Sequence, residues 1–395
     1  MPMSVGILMP LPLTGDGVGY TCSSLAQGLV NEDTQVCVIT SRCKLSLPSI
    51  EVVETLPPWA RYAPYRWVKA RAERRLEQAL LSRMERFPSS ARVAYLWPGA
   101  SLDAIARLKR DGVTVIREQF NCHTGAAKEI LDEAYHRLGA PAAHTITESV
   151  VDAERQILHA VDYVFCPGPN VSKSLTQNGV EAAKLLRASY GWDPARLAAG
   201  RRTIPAGEGI TFVFVGSLCV RKGVHLLLDY WARSGVKGRL VLVGEMEPVI
   251  RERCGRLLAR DDVVVMDYSR DVGALYRTAD AFVFPTLEEG SPLVVYEACG
   301  SGLPIVTTHM GAGELVRPQR EGMIVDAYDA LGWIEALRAL AEDRDLRERL
   351  SHSAHRRAQE FVWPLVATRR REQMEACLAD RPARSPRLAE SEALS

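Results

Sequence analysis

No apolar run in this 395-residue chain reaches the ~18 residues that a membrane-crossing helix needs. The apolar start, MPMSVGILMPLPL, has no basic stretch before it and runs straight into a glycine loop, so it reads as a first strand and not as a signal peptide. An excess of one charge is also missing. Lys and Arg number 49 against 48 Asp and Glu, and the net charge of +1 argues against a general nucleic-acid binder. The nine cysteines include no C-x-x-C pair, Cys37 and Cys43 being the closest two. That excludes the spacing of a zinc site and reads as reduced, mostly buried thiols of a cytoplasmic protein. What remains, 47% hydrophobic and 25% charged residues, is the make-up of a globular protein long enough for about two domains.

Short apolar segments rich in branched residues recur at 5–9, 35–40, 92–96, 114–117, 163–166, 211–215, 239–243, 263–266, 281–284 and 305–308, with helical patterns between most of them. Such alternation predicts α/β architecture with parallel sheets covered on both faces. The stretch 192–209, WDPARLAAGRRTIPAGEG, has no apolar period and reads as a linker. The expectation is therefore two Rossmann-like, doubly wound domains, 1–192 and 205–360, facing a cleft lined by the carboxyl ends of the strands. A closing helix is expected over 361–378, and a polar, disordered tail over 380–395.

Chemistry concentrates in 281-AFVFPTLEEGSPLVVYEACGSG-302, a strand, a loop and a helix. Ser291 suits an N-cap and Pro292 a first helical position, leaving the N–H groups of Leu293 and Val294 free to hold an anion such as phosphate. Glu289 and Glu297 would repel that anion, so they must face something else. Carboxylates accept hydrogen bonds from paired hydroxyls, and a nucleotide sugar offers a diol on each side of its diphosphate. Glu289 would then hold the sugar and Glu297 the ribose. Taken alone, each also reads as a solvated acid.

In 211-TFVFVGSLCVRKGVHLLLDYW-231, Arg221 and Lys222 stand at a helix start, the wrong end of the macrodipole for cations. A diphosphate there, beside Gly216 and Ser217, makes sense of them; solvation is the plain alternative. After the first strand, Gly15, Gly17 and Gly19 let backbone approach a ligand, but Tyr20 stands where a dinucleotide fingerprint needs its last glycine, and the next strand ends without a ribose-binding acid. His123, just past a strand end, can bond a sugar hydroxyl or serve its own loop, and Glu118 is a weaker candidate beside it. Segment 59–87 carries eight Lys or Arg, with an apolar stripe of Leu76, Leu80, Met84 and Phe87. The stripe reads either as core packing or as peripheral contact with an anionic membrane on its inner face.

Together these segments resemble glycosyltransferase family 4, the retaining nucleotide-sugar transferases of the GT-B fold. Glu289-Gly-Ser-Pro-Leu-Val-Val-Tyr-Glu297 matches the family's E-x7-E, and Gly216-Ser217-Leu218-Cys219-Val220-Arg221-Lys222-Gly223 its G-[RS]-L-x-x-x-K-G. The stretches 160-AVDYVFCPGPNVSKSL-175, 190-YGWDP-194 and 361-FVWPLV-366 are similar too. The resemblance implies transfer of a hexose with retention of configuration, with no bound metal. An N-terminal acceptor domain and a C-terminal nucleotide-sugar domain would share the work, in cell-surface polysaccharide or glycolipid assembly. Glu289, His123 and Lys222 would be catalytic, and the loop at Gly15, Gly17 and Gly19 would lie beneath phosphate and acceptor. The chain departs at Ser217, where many members carry arginine; Arg221 is the candidate replacement. No D-x-D precedes a donor loop. A small natural-product acceptor, an epimerase, a phosphorylase and a non-catalytic sugar-nucleotide-binding partner are the alternatives.

Overall fold

The computed structural model describes residues 2–57, 65–87, 91–198, 208–269 and 271–380. Two parallel sheets face each other. The first contains β1 (Met3–Met9), β2 (Thr34–Thr40), β3 (Glu51–Glu54), β4 (Arg92–Leu96), β5 (Thr114–Glu118), β6 (Tyr163–Cys166) and β7 (Leu185–Arg187). The second contains β8 (Ile210–Val215), β9 (Gly238–Val243), β10 (Val263–Met266), β11 (Ala281–Phe284), β12 (Ile305–Thr307) and β13 (Gly322–Ile324). Every residue of β1 and of β11 is buried. Helices on both faces leave these strands no solvent side, which is why they read as continuous apolar runs.

The strand orders are β3-β2-β1-β4-β5-β6-β7 and β10-β9-β8-β11-β12-β13. In each sheet the chain moves outward one way and then returns to start again on the other side, so the switch points lie at β1/β4 and β8/β11. Loops leaving strand ends at such points diverge and open a crevice. The two chemistry-bearing segments follow β8 and β11, so topology brings them to one crevice, and the glycine loop that follows β1 meets them because the two sheets face each other.

All ten expected strands are present. Three more, β3, β7 and β13, are edge strands three or four residues long, and β3 and β7 have no buried residue. The linker segment is more ordered than expected as far as it is described: Pro194–Ala198 is a short helix. Residues 199–207 and the expected tail at 381–395 lie outside the described residues.

The chain crosses back where two of the quoted stretches meet. Trp192 N–H donates to the Phe361 carbonyl at 3.1 Å, and Trp363 N–H to the Trp192 carbonyl at 3.3 Å. The helix Trp363–Ala379 then packs on the first domain's Gly17–Leu29. At their contact, a Cβ on Gly28 would lie 2.5 Å from that of Ala367, so only glycine permits this approach.

The stripe of Leu76, Leu80 and Met84 on the helix Tyr65–Arg86, with Phe87 just past its end, is buried, the helix packing on the first sheet. Of its two readings, core packing is the one realised, and these four side chains are not offered to a membrane. Among the described residues no helix is long and apolar enough to cross a membrane.

Candidate active site

The loops after β8 and β11 interlock through their backbones. The Arg221 carbonyl accepts from Leu287 N–H at 2.9 Å and from the Thr286 hydroxyl at 3.3 Å. Gly223 closes the 3-10 turn Val220–Lys222 with a φ of +71°, and a Cβ there would stand 2.1 Å from the Pro285 carbonyl oxygen. Only glycine allows both the left-handed backbone and this approach. The consequence is a side-chain pairing: Lys222 and Glu289, both buried, form an ion pair. Arg221 Nη1 lies 3.7 Å from Glu289 and 3.3 Å from Glu288. Burial, and then the neighbouring Arg221 guanidinium, push the Lys222 ammonium down to about 7.

The helix after β11 starts at Leu293 with Pro292 as its N-cap, one residue later than expected. Ser291 does not cap it: its hydroxyl bonds the Tyr296 hydroxyl at 2.9 Å. The first-turn N–H groups of a helix have no intrahelical acceptor by construction, and here the turn opens on the cavity through the half-buried Leu293 and Val294. The helix is apolar on all sides and buried, and Glu297 is its one acid. Glu297 is 7% exposed and receives the Tyr276 hydroxyl at 3.4 Å. Burial pushes its carboxyl up to about 7, with Arg196 and the Tyr276 bond pulling the other way.

These groups line one cavity of about 740 Å3 between the two sheets. It gathers Gly216, Ser217, Arg221, Lys222, Glu289, Ser291, Pro292, Leu293, Val294 and Glu297 from the second domain. Gly17 alone of the three loop glycines lines it. The Gly15 carbonyl instead accepts from Arg196 at 3.3 Å, and Gly19 packs against Pro12.

Two first-domain candidates are placed elsewhere. His123 is fully buried and lines no part of this cavity. Its Nδ1 accepts Gly125 N–H at 3.1 Å, capping the helix Thr124–Leu138, and its backbone N–H donates to the Ser174 hydroxyl at 2.9 Å. Burial also lowers its pKa, so this geometry makes it a neutral capping group and not a contact for the sugar. Glu118 is fully buried too, paired with Arg370 of the closing helix and receiving the Tyr190 hydroxyl at 2.8 Å. It holds the fold together and does not face the cleft.

Two residues not singled out from the sequence belong here. Arg196, in the linker, lies 4.2 Å over the Tyr20 ring and lines the cavity. Glu288, 1% exposed, reaches across the cleft to accept Cys122 N–H at 3.2 Å. Close by, a Cβ on Gly290 would stand 1.9 Å from the Phe120 carbonyl oxygen. Among the described residues no three His, Cys, Asp or Glu converge as a metal cluster. What the cavity can do follows from its charges: cations and helix-start N–H groups favour a diphosphate, and the two buried acids can accept hydroxyls on either side.

The description "Glycosyl transferase 4-like domain" matches residues 16–191, and "Glycosyl transferases group 1" matches residues 209–343. A D-inositol 3-phosphate glycosyltransferase of Pseudarthrobacter chlorophenolicus is 29% identical over 249 residues, 59% of this chain and 55% of that protein. The capsular polysaccharide biosynthesis glycosyltransferase CapM of Staphylococcus aureus is 30% identical over 162 residues, 38% of this chain and 43% of its own length. The chain thus spans about half the length of these relatives. Among solved structures, sucrose-phosphate synthase from Thermosynechococcus elongatus superposes with a TM-score of 0.71 at 16% identity, covering 96% of this chain and 100% of the other. Anabaena HepE in complex with UDP and glucose superposes at 0.67 and 15% identity, covering 95% and 100%. These likenesses show the fold.

Proposed function

Because the chain belongs to the glycosyltransferases of family 4 type, in the GT-B fold, we propose that it moves a hexose from a nucleoside-diphosphate sugar to an acceptor hydroxyl with retention of configuration. One observation carries this reading. A single cavity at both switch points brings a helix start, Lys222 and Arg221 between two buried acids. In this reading the diphosphate lies against Gly216, Ser217, Lys222 and the N–H groups of Leu293 and Val294. Glu297 holds the ribose, and Glu289 the sugar hydroxyls. Charge developing on the leaving diphosphate is met by Lys222 and the helix start, with no metal assigned a role. The acceptor hydroxyl attacks from the face that the diphosphate leaves. The name of one relative, a capsular polysaccharide biosynthesis glycosyltransferase, favours cell-envelope carbohydrate assembly as the setting, and that of the other, a D-inositol 3-phosphate glycosyltransferase, keeps a small acceptor as the second reading.

The first test is binding. UDP, GDP and ADP are titrated calorimetrically into the wild type and into Lys222→Ala. One nucleotide should bind the wild type, and the substitution should weaken it about thirtyfold, the value of a charge-assisted contact of ~2 kcal/mol. Equal affinity in the two proteins would remove Lys222 from the diphosphate site. Product anomer, read by proton NMR, tests retention.

Binding should also depend on pH in a bell. Glu297, pushed up to about 7, keeps its proton between ~4.5 and 7, where the unfolded chain has lost it. The folded state therefore gains from that proton at low pH and loses the gain as pH rises through 7. The ribose hydroxyls need the ionised form, so nucleotide affinity should climb up to about tenfold per pH unit towards 7. Lys222 titrates near 7 in the opposite sense: above it the ammonium is lost and diphosphate affinity falls. Glu297→Gln should flatten the acidic limb alone. An acidic limb that persists in that variant assigns it to another group.

A further inference from the structure

A second cavity, of about 960 Å3, opens on the far side of residues 120–122 from the donor site. The two cavities share Phe120, Asn121 and Arg221 as lining, so a molecule in the second can reach the first at this partition. One wall comes from the first domain's helices Thr124–Leu138 and Glu148–Ala160 and the loop between them. It presents Leu131, Ile146, Val150 and Ile157. Val150 is 45% exposed, its helix's inner face being supplied by Val151 and Leu158, so its side chain is free to meet a ligand on this wall.

Much of the polar side of the cavity is engaged within the protein itself. Glu154 receives Arg117 at 3.1 Å, Gln119 at 3.0 Å and Thr124 N–H at 2.6 Å. Arg221 is held by Glu288 and Glu289. Among the described residues that line it, the acids are Glu73, Glu77, Glu154 and Glu288 and the bases are Arg74, Arg117 and Arg221. Four acids against three bases leave an acidic excess, the reverse of what a phosphate needs.

Building on the proposed transfer, we propose that this cavity seats the acceptor. The acceptor is then an uncharged hydroxyl compound with an apolar body, and not a phosphorylated polyol. The apolar body lies on Leu131, Ile146, Val150 and Ile157, and the reacting hydroxyl points past Phe120 and Asn121 towards the donor.

The test is direct binding to the full chain, followed by saturation-transfer NMR and calorimetry. The probes are hexyl β-D-glucopyranoside, methyl β-D-glucopyranoside and myo-inositol 1-phosphate. The hexyl glycoside should bind at least about tenfold more tightly than the methyl one, since five further methylenes leave water. The inositol phosphate should bind more weakly than the hexyl glycoside. Val150→Asp, at a position exposed enough to accept the charge, should weaken the hexyl glycoside about tenfold. Equal binding of the two glycosides, tighter binding of the inositol phosphate, no binding of the hexyl glycoside, or an unaffected Val150→Asp variant would each overturn the proposal. UDP, GDP and ADP titrated into the same samples report separately on the donor site: their failure sinks the proposed transfer, whereas the glycoside results judge the acceptor cavity.

Discussion

Replacing Glu289 with glutamine is expected to lower turnover a few hundredfold while leaving nucleoside diphosphate affinity unchanged or somewhat higher. The two effects separate because Glu289 has two relations in the site. In the proposed transfer, its carboxylate accepts the sugar hydroxyls while positive charge develops on the ring. Losing such a preorganised charge typically costs about 3 kcal/mol of transition-state stabilisation, roughly 200-fold in rate. Towards Lys222 it is a competitor, because the ion pair must be split before the ammonium can serve a diphosphate. Glutamine keeps the shape, removes that competition and removes a negative charge that repels the phosphates. Measured together, kcat at saturating donor should drop while the calorimetric affinity for the nucleoside diphosphate does not. An unchanged kcat would take Glu289 out of the chemistry. A loss confined to affinity would mean that it serves binding alone.

That Glu289, Glu297 and Lys222 would share a site was legible because Glu289 and Lys222 lie in loops just after strand ends and Glu297 on the helix that one of those loops opens, and strand ends at switch points converge whatever the intervening sequence. The central strands were legible for a similar local reason: β1, β8 and β11 carry their own apolar signal. The rest depends on partners distant in the chain. Glu288 meets Cys122 across 166 residues of sequence, and Arg196 meets Gly15 across 181. His123 shows the limit of position as a guide. A strand end says that the loop is near the cleft, but the Gly125 N–H and the Ser174 hydroxyl decide where residue 123 settles. Ser291 likewise has the composition of a cap, but its hydroxyl is taken by Tyr296 five residues on, and the helix begins after Pro292. The edge strands β3 and β7 have no buried residue and so no apolar run to read, and β13 has only three residues.

The largest expected loss of stability comes from Arg370→Met. Arg370 is 1% exposed on the closing helix Trp363–Ala379, and its partner Glu118, at the end of β5, is fully buried. Around the pair, Arg370 Nη2 reaches Glu118 at 3.2 Å and the Ser189 carbonyl at 3.1 Å, and Nη1 reaches the Tyr95 hydroxyl at 2.7 Å. Burial alone would push the guanidinium towards neutrality; Glu118 more than reverses this, and the net direction is upward. A buried pair of this kind adds little net stability over an apolar pair of the same shape, but removing one partner strands the other charge. The expected cost of Arg370→Met is therefore about 3–5 kcal/mol, which for a domain of this size is a melting-temperature drop on the order of 10 °C. Because the arginine also fastens the closing helix to the first sheet, limited proteolysis should cut within 363–379 in the variant and not in the wild type. The double variant Glu118→Gln with Arg370→Met removes both charges and should recover a substantial part of the loss. If the single variant melts within about 2 °C of the wild type, the carboxylate is being satisfied by the Tyr95 and Tyr190 hydroxyls alone, and Arg370 is not what holds the crossing helix in place.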